Sequence, residues 1–350
     1  MPELRRGPIT DRWVIIAVER AKRPSDLLSQ DEKEAPLEPA ECPFCPGNEA
    51  KTPPELFAIR EGGGGANTPG WRVRVVPNKF PALEAYGELG RAGIGFFDRM
   101  KGVGAHEVVI ESPDHRSELA DLPSEHVRLV IEAYIQRMRE LMRNHWFRYI
   151  LLFRNHGAAA GASLSHPHSQ IIATPIIPRN VRDRLEAARR YYDDKERCIF
   201  CDLLIQELTL GGERIVEESD GYIILAPYDS RFPFELTVFP KYHLHDFTQM
   251  NEGQRQGLAR ALKRALLRLK LLLNDPPFNM VLQTSPNPVP RPGKPGYWAT
   301  LQYDYHWHIE ILPRLTRVAG FEWGTGFYIN PVPPEEAAKY LRGVKLPEGI

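Results

Sequence analysis

Two kinds of hydrophobic spacing recur along this chain. In WRVRVV (71–76) and HEVVIE (106–111), polar and apolar side chains largely alternate, as they do in strands with one face against a core. YIILAP (222–227) and FELTVF (234–239) are more continuously apolar and predict strands with both faces buried. Two long stretches carry helical spacing instead. HVRLVIEAYIQRMRELMRNH (126–145) sets Val127, Leu129, Val130, Ala133, Tyr134, Met138 and Leu141 on one side, with Ser124 after Pro123 as its expected N-terminal cap. GQRQGLARALKRALLRLKLLL (253–273) repeats the design, and its basic face from Arg255 to Lys270 is expected to be a solvated surface. EGGGGANTPG (61–70) reads as a loop, since no Gly-Lys-Ser/Thr follows to make it a phosphate cradle. The proline-rich SPNPVPRPGKPG (285–296) cannot be a central strand and reads as an extended loop.

These elements come in a repeated order. The first half runs ECPFC, WRVRVVPNKFPAL, AHEVVIESPDH, an amphipathic stretch, then YILLFRNHG and SHPHSQII. The second runs RCIFC, YIILAPYDSRFPFEL, LTVFPKYHLHDF, another amphipathic stretch, then YDYHWHIEILP. A repeat this long is a duplication of a whole domain rather than a solenoid unit. The expected architecture is α+β: two similar halves, residues 1–180 and 181–350, each an antiparallel sheet with a long helix packed on it.

Composition narrows the function. The 350 residues are 42% hydrophobic and 26% charged, a globular balance. Lysine plus arginine equals aspartate plus glutamate, 45 each, so no bulk basic field argues for nucleic acid. No apolar run approaches the roughly 18 residues of a membrane span, and MPELRRGPITDRW has no apolar signal core. The expectation is a cytoplasmic protein with neither nucleic acid nor membrane as partner.

The four cysteines form two tight pairs, Cys42-Pro-Phe-Cys45 and Cys198-Ile-Phe-Cys201. Such pairs outside a secreted scaffold are redox dithiols or half-sites for metal, and neither pair opens a strand-to-helix redox turn. A structural zinc site needs four ligands, and the duplication offers two histidines per half. His115 of PDH matches His243 of PKYH, and His166 matches His306. One set is then Cys42, Cys45, His115 and His166; the other is Cys198, Cys201, His243 and His306. The competing arrangement unites all four cysteines in one site, and the matched histidines argue against it.

In SHPHSQII (165–172), His166, His168 and Gln170 fall at every second position and would share one face of a strand. With His166 on metal, His168 is left as an unmetallated imidazole on a rigid element. Neutral imidazole can attack phosphorus and carry it covalently, with Gln170, Asn155 and Ser163 as candidate donors to the phosphate. The residues alone leave a second role open for His168, that of a hydrogen-bonding neighbour to the metal ligand.

FRNHGAAAGASLSHPHSQ (153–170) resembles the active-site strand of the galactose-1-phosphate uridylyltransferase family, a branch of the histidine-triad superfamily. DRWVIIAVERAKRP, CPFC, VVPNKFPAL, ESPDH and VAGFEWGTGFYINP extend the resemblance over nearly the whole chain. It implies two histidine-triad-like halves and a ping-pong transfer. His168 would attack the α-phosphorus of a nucleotide sugar such as UDP-glucose, expel a hexose 1-phosphate, and pass the nucleotide to another such as galactose 1-phosphate. By the same resemblance Gln170, Asn155 and Ser163 contact the phosphoryl oxygens, and Asn78 belongs to the nucleotide site. Arg20 and Arg23 reach phosphates across a homodimer interface, and Glu322 binds sugar hydroxyls. The family's zinc ligands map onto Cys42, Cys45, His115 and His166.

Three departures matter. The second C-x-x-C replaces a glutamate-and-histidine site, so the second metal is expected to be zinc or iron. This feature resembles a divergent branch that includes plant ADP-glucose phosphorylase, which transfers adenylyl groups and can use phosphate as acceptor. Ser169 stands in place of a glycine, and Tyr328 near a hexose-binding glutamine. His308, the repeat counterpart of His168, is followed two residues on by Glu310 rather than glutamine and is expected to be structural.

Overall fold

The computed structural model describes residues 1–17, 24–27, 38–290, 298–347 and 349. The first half contributes β1 (Glu3–Arg6), β2 (Trp13–Ile16), β3 (Phe57–Arg60), β4 (Trp71–Pro77), β5 (Ala92–Ile94), β6 (Phe97–Arg99), β7 (Ala105–Ile110), α1 (Ser124–Met142), β8 (Tyr149–His156) and β9 (His168–Thr174). After them come α2 (Arg179–Lys195), α3 (Ile199–Thr209), β10 (Ile215–Ser219), β11 (Tyr222–Leu225), β12 (Leu236–Pro240), α4 (Glu252–Leu273) and β13 (Phe278–Gln283). The chain ends with α5 (Leu301–Asp304), β14 (His308–Pro313), α6 (Gly320–Thr325), β15 (Tyr328–Asn330) and α7 (Pro334–Arg342).

The fold is α+β, and the repeated segments merge into one sheet. Its ten strands run β3-β4-β7-β9-β8-β13-β14-β12-β11-β10, every neighbour antiparallel. With β3 matched to β10, β4 to β11, β7 to β12, β9 to β14 and β8 to β13, this order is a palindrome. The halves therefore meet edge to edge at its centre, where Asn155 lies opposite Asn279 and Arg154 opposite Met280. Pairing the two central edges removes one of the two edge strands that each half would otherwise present.

Helices α1 and α4 lie together on one face. Val130, Tyr134 and Met138 of α1 share one apolar core with Leu258, Leu262 and Leu266 of α4, and with Ile171 and Ala173 of β9 and Ile309 and Ile311 of β14. Strand alternation then turns His168 and Gln170 to the opposite face. At Gly257, a Cβ would stand 2.5 Å from the Asp220 carbonyl oxygen, so only glycine lets α4 approach the β10–β11 turn this closely. A smaller sheet holds the β1–β2 hairpin with β15 parallel to β2.

Two sequence expectations change. Ser124 is the first residue inside α1, Pro123 precedes it, and no side chain caps that end. At α4 the Asn251 carboxamide accepts from the Gln254 N–H at 2.9 Å and the Gln254 side chain accepts from the Asn251 N–H at 2.8 Å. The basic face of α4 is also not a solvated stripe. Arg255 reaches Glu132 at 2.7 Å, Arg260 reaches Asp220 at 2.9 Å, and Arg264 and Arg268 both hold Glu217. Lys270 pairs with Asp121, and buried Lys263 donates to the Leu122 carbonyl at 2.6 Å. The acceptors come from remote segments of both halves, so the charge is internal lacing.

Candidate active site and metal centres

Each cysteine pair meets two histidines from its own half. The ligand atoms of Cys42, Cys45, His115 and His166 all lie within 4.8 Å of one another, as do those of Cys198, Cys201, His243 and His306. In the first group the Cys45 Sγ stands 3.2 Å from His115 Nδ1 and 3.5 Å from His166 Nδ1, and the Cys42 Sγ 3.6 Å from His166 Nδ1. In the second, the Cys201 Sγ is 3.3 Å from His243 Nδ1 and 3.5 Å from His306 Nδ1. A tetrahedral ion held at about 2.3 Å by sulfur and about 2.0 Å by nitrogen sets neighbouring ligands roughly 3.5 Å apart, so both groups fit such an ion.

The far ring nitrogens of three of the four histidines reinforce the fit, while His115 Nε2 is buried without a partner among the described residues. His166 Nε2–H donates to the Ser112 carbonyl at 2.8 Å, His306 Nε2–H to Pro240 at 3.0 Å, and His243 Nε2–H to Gln302 at 3.0 Å. Each bond leaves a lone pair on Nδ1, pointing at the thiols, which is how outer hydrogen bonds prepare an imidazole for a metal. The two pairs stand in separate groups, not in one four-cysteine site.

His166 and Pro167 precede β9, which begins at His168. The buried His168 ring donates from Nδ1 to the His166 carbonyl at 2.9 Å. Burial lowers its pKa from the ordinary imidazole value and keeps the ring neutral. Its Nε2 therefore carries a lone pair. Phe44, inside the first cysteine pair, packs edge-on to the ring with centroids 5.4 Å apart.

Behind this strand, Ser169 points to the helix side. Its hydroxyl shares a 2.7 Å hydrogen bond with Tyr134 and donates to Glu111, which also accepts from Arg154 Nε at 3.0 Å. The serine that departs from the family pattern thus anchors the strand from beneath and stays out of the His168 face.

On the open face, the antiparallel register places Val108 opposite Gln170 and Ile110 opposite His168. His106, one diagonal step from Gln170, was not singled out by the sequence, yet it organises the site. The Ala82 N–H donates to His106 Nδ1 at 3.2 Å, so the ring proton sits on Nε2 and donates to Gln170 Oε1 at 2.7 Å. That turns the Gln170 NH₂ away from His106. Asn78 adjoins the same ring, its Nδ2 3.1 Å from His106 Nε2, while its Oδ1 accepts from the Phe80 N–H at 2.9 Å.

Asn155 is oriented across the central seam, where its Oδ1 accepts from Asn279 Nδ2 at 2.9 Å. Asn279 is a second residue the sequence reading missed, because only the pairing of β8 with β13 brings it near. Ser163 is exposed in the loop before His166. Glu322 lies apart from this network, on α6 beside the small sheet, where its Oε2 accepts from the Ala319 N–H at 2.9 Å. Arg20 and Arg23 fall outside the described residues.

Comparison with known proteins places this geometry. Residues 1–178 match the N-terminal domain of galactose-1-phosphate uridyl transferase and residues 184–341 match its C-terminal domain. The chain belongs to the galactose-1-phosphate uridyl transferase family. It is 37% identical to an ADP-glucose phosphorylase of Arabidopsis thaliana over 99% of this chain and 93% of that one. It is 30% identical to a galactose-1-phosphate uridylyltransferase of Thermotoga maritima over 99% of both. A crystal structure of an ADP-glucose phosphorylase from Arabidopsis thaliana with bound ADP-glucose superposes with a TM-score of 0.81 at 36% identity, covering 99% of this chain and 100% of that one. Membership makes the protein a nucleotidyltransferase of the galactose-1-phosphate uridyl transferase family. No helix among the described residues is long and apolar enough to cross a membrane.

Proposed function

We propose that the protein transfers nucleotidyl groups by a ping-pong reaction through His168, with UDP-glucose:hexose-1-phosphate uridylyl transfer as its activity. The observation that carries this reading is the His168 ring, held through Nδ1–H on the His166 carbonyl with no partner at Nε2 among the described residues; burial lowers its pKa and so favours the neutral form. In the first half-reaction Nε2 bonds to the α-phosphorus, the bond from that phosphorus to the bridging oxygen breaks, and a hexose 1-phosphate leaves with the electron pair. The Nδ1 proton stays on the ring and shares the positive charge with the carbonyl. In the second, a phosphate oxygen of another hexose 1-phosphate attacks the same phosphorus and the N–P bond breaks. Gln170 NH₂ donates to a non-bridging oxygen as negative charge gathers there, and Asn155 and Ser163 add polar contacts.

We assign zinc to both Cys₂His₂ groups as closed structural sites. The first stiffens the His166 backbone whose carbonyl holds the nucleophile. Asn78 is assigned to the nucleotide, Glu322 to sugar hydroxyls, and Arg20 and Arg23 to phosphates in a cytoplasmic homodimer; the family resemblance of their motifs supports these roles.

A second reading, adenylyl transfer from ADP-glucose with inorganic phosphate as acceptor, is favoured by the 37% identity to an ADP-glucose phosphorylase. One experiment separates the two. The protein is exposed to UDP-glucose or ADP-glucose and its intact mass recorded, then either galactose 1-phosphate or phosphate is added. A uridylyl adduct discharged by galactose 1-phosphate supports the first reading, and an adenylyl adduct discharged by phosphate the second. Absence of any adduct on His168 defeats both.

A further inference from the structure

The second half repeats the frame of the His168 site and then fills it differently. His308 Nδ1 donates to the His306 carbonyl at 3.2 Å, as His168 does to His166. Phe200, inside the second cysteine pair, lies with its ring 5.4 Å from His308, the spacing of Phe44 from His168. Beside this histidine opens a cavity of about 600 Å³, within the usual range of small-molecule sites. Its lining comes from the hairpin between β1 and β2 and from α2, α3, β11, β12 and β14, with none of the first half's site residues.

One wall is apolar, made by Ile199, Leu203, Leu225 and Phe239. The floor and rim are charged, with four arginines facing five carboxylates. Glu310 accepts from Arg184 Nη2 at 2.7 Å and from Arg231 Nη2 at 3.2 Å, and Arg231 also holds Glu235 at 2.7 Å. At the rim Arg214 holds Glu207 at 2.9 Å, and Asp202 accepts from Tyr191 at 2.7 Å and from Arg197 at 2.8 Å. Two groups remain. Arg184 is buried, and its Nη1 has no hydrogen-bond partner among the described residues. Arg12 has no ion pair among the described residues; its guanidinium carbon lies 5.7 Å from the Tyr328 ring. Asp229 lines the same space; burial raises its pKa, and no ion pair joins it to Arg12 among the described residues. A buried guanidinium N–H without an acceptor is unfavourable, and an anion entering the cavity removes that penalty.

We propose that this cavity is a second, non-catalytic ligand site for a small organic anion with a flat apolar body, of the nucleoside monophosphate type. Its phosphate is taken by Arg12 and Arg184 Nη1, and its base lies against Ile199, Leu203 and Leu225. Binding there leads to no transfer. Glu310 occupies the position of Gln170, and a carboxylate repels the phosphoryl oxygens that an amide would attract. The proposal does not rest on the assignment of His168.

Equilibrium dialysis of the full chain with AMP and with UMP tests it, since neither carries a phosphate leaving group for His168 to displace. A binding component is expected that Arg12→Met weakens at least tenfold and that Leu203→Trp, which fills the apolar side, removes. Nucleotidyl transfer from the nucleotide sugar should persist in both variants, which also reports that they fold. Transfer failing in the parent protein would sink the His168 reading while leaving this component in place. The proposal is overturned if neither nucleotide shows a component sensitive to Arg12→Met. Inorganic phosphate binding as tightly as the nucleotides would equally overturn it, since the apolar wall would then contribute nothing.

Discussion

Replacing His106 by phenylalanine isolates the device that aims Gln170. The ring volume is kept, while the 2.7 Å donation from His106 Nε2–H to Gln170 Oε1 disappears. An amide side chain has two orientations related by a half-turn, and only one presents NH₂ to the site. The lost bond sets the bias between them. A neutral hydrogen bond contributes about 0.5–1.5 kcal/mol net, which at about 1.4 kcal/mol per decade corresponds to roughly a two- to twelvefold fall in the rate of nucleotidyl-enzyme formation. Removing the donor altogether, with Gln170→Ala, should cost far more, about 10²–10³-fold.

The assay is single-turnover labelling of the enzyme from a radioactive nucleotide sugar, read as the rate of adduct formation at saturating substrate. If His106 acts only through Gln170, adding His106→Phe to Gln170→Ala should change the rate less than about twofold, because coupled residues do not add. A full independent loss in that background would refute the positioning role. So would an undiminished rate in the single variant.

Other outcomes follow from the same geometry. His168→Ala should abolish adduct formation while leaving two metal ions per chain by elemental analysis, since its ring is outside both ligand groups. Cys42→Ala or His166→Ala should lose one ion and lower the melting temperature, because binding at a closed site is coupled to folding; an unchanged metal count would refute the ligand set. At the seam between halves, burial opposes the charge on Glu118, but Arg154 and His156 outweigh it and hold the carboxyl at about 2. Burial likewise opposes charging His156, yet its bonds to Asp275 and Glu118 raise its pKa. The Glu118 contribution is complete above about pH 4.5 and fades as pH falls toward 2, while that of His156 is complete below about pH 6.5 and fades as pH rises through its raised value. Glu118→Gln should therefore lower the melting temperature at pH 6 more than at pH 3, and an equal drop at both would refute this account.

What the sequence made legible was what short segments encode. C-x-x-C pairs, a histidine two or three residues after a proline, and the repeated order were enough to draw both candidate ligand groups, because each donor lies within a recognisable local pattern. Strand alternation likewise separates the faces of β9, with His168 and Gln170 on one and Ser169 on the other. His106 escaped because its meaning depends on register. In HEVVIE it is one of three polar residues and sits near the start of a strand, and only the pairing of Val108 with Gln170 makes it a diagonal neighbour. Asn279 escaped for the same reason at the seam. The basic face of α4 was misread because its partners, Asp121, Glu132, and Glu217 with Asp220, come from three separate segments. Tertiary pairing of charges leaves no periodic trace.

The two halves also show where chemistry resides in a duplicated scaffold. Both place a ring nitrogen of a metal-ligand histidine on a carbonyl, and both use that histidine's own carbonyl to fix the next ring. The clamp alone therefore does not create a nucleophilic site. What differs is the residue two positions on. Gln170 is neutral and is turned by a neighbouring imidazole so that its NH₂ faces away from that ring, whereas Glu310 is already engaged by Arg184 and Arg231. An attacking imidazole needs uncommitted donors around the phosphorus; a carboxylate locked between two guanidiniums supplies none and holds theirs as well. Among the described residues one Arg184 nitrogen is left without an acceptor and Arg12 without an ion pair, and the proposed anion site rests on these two groups.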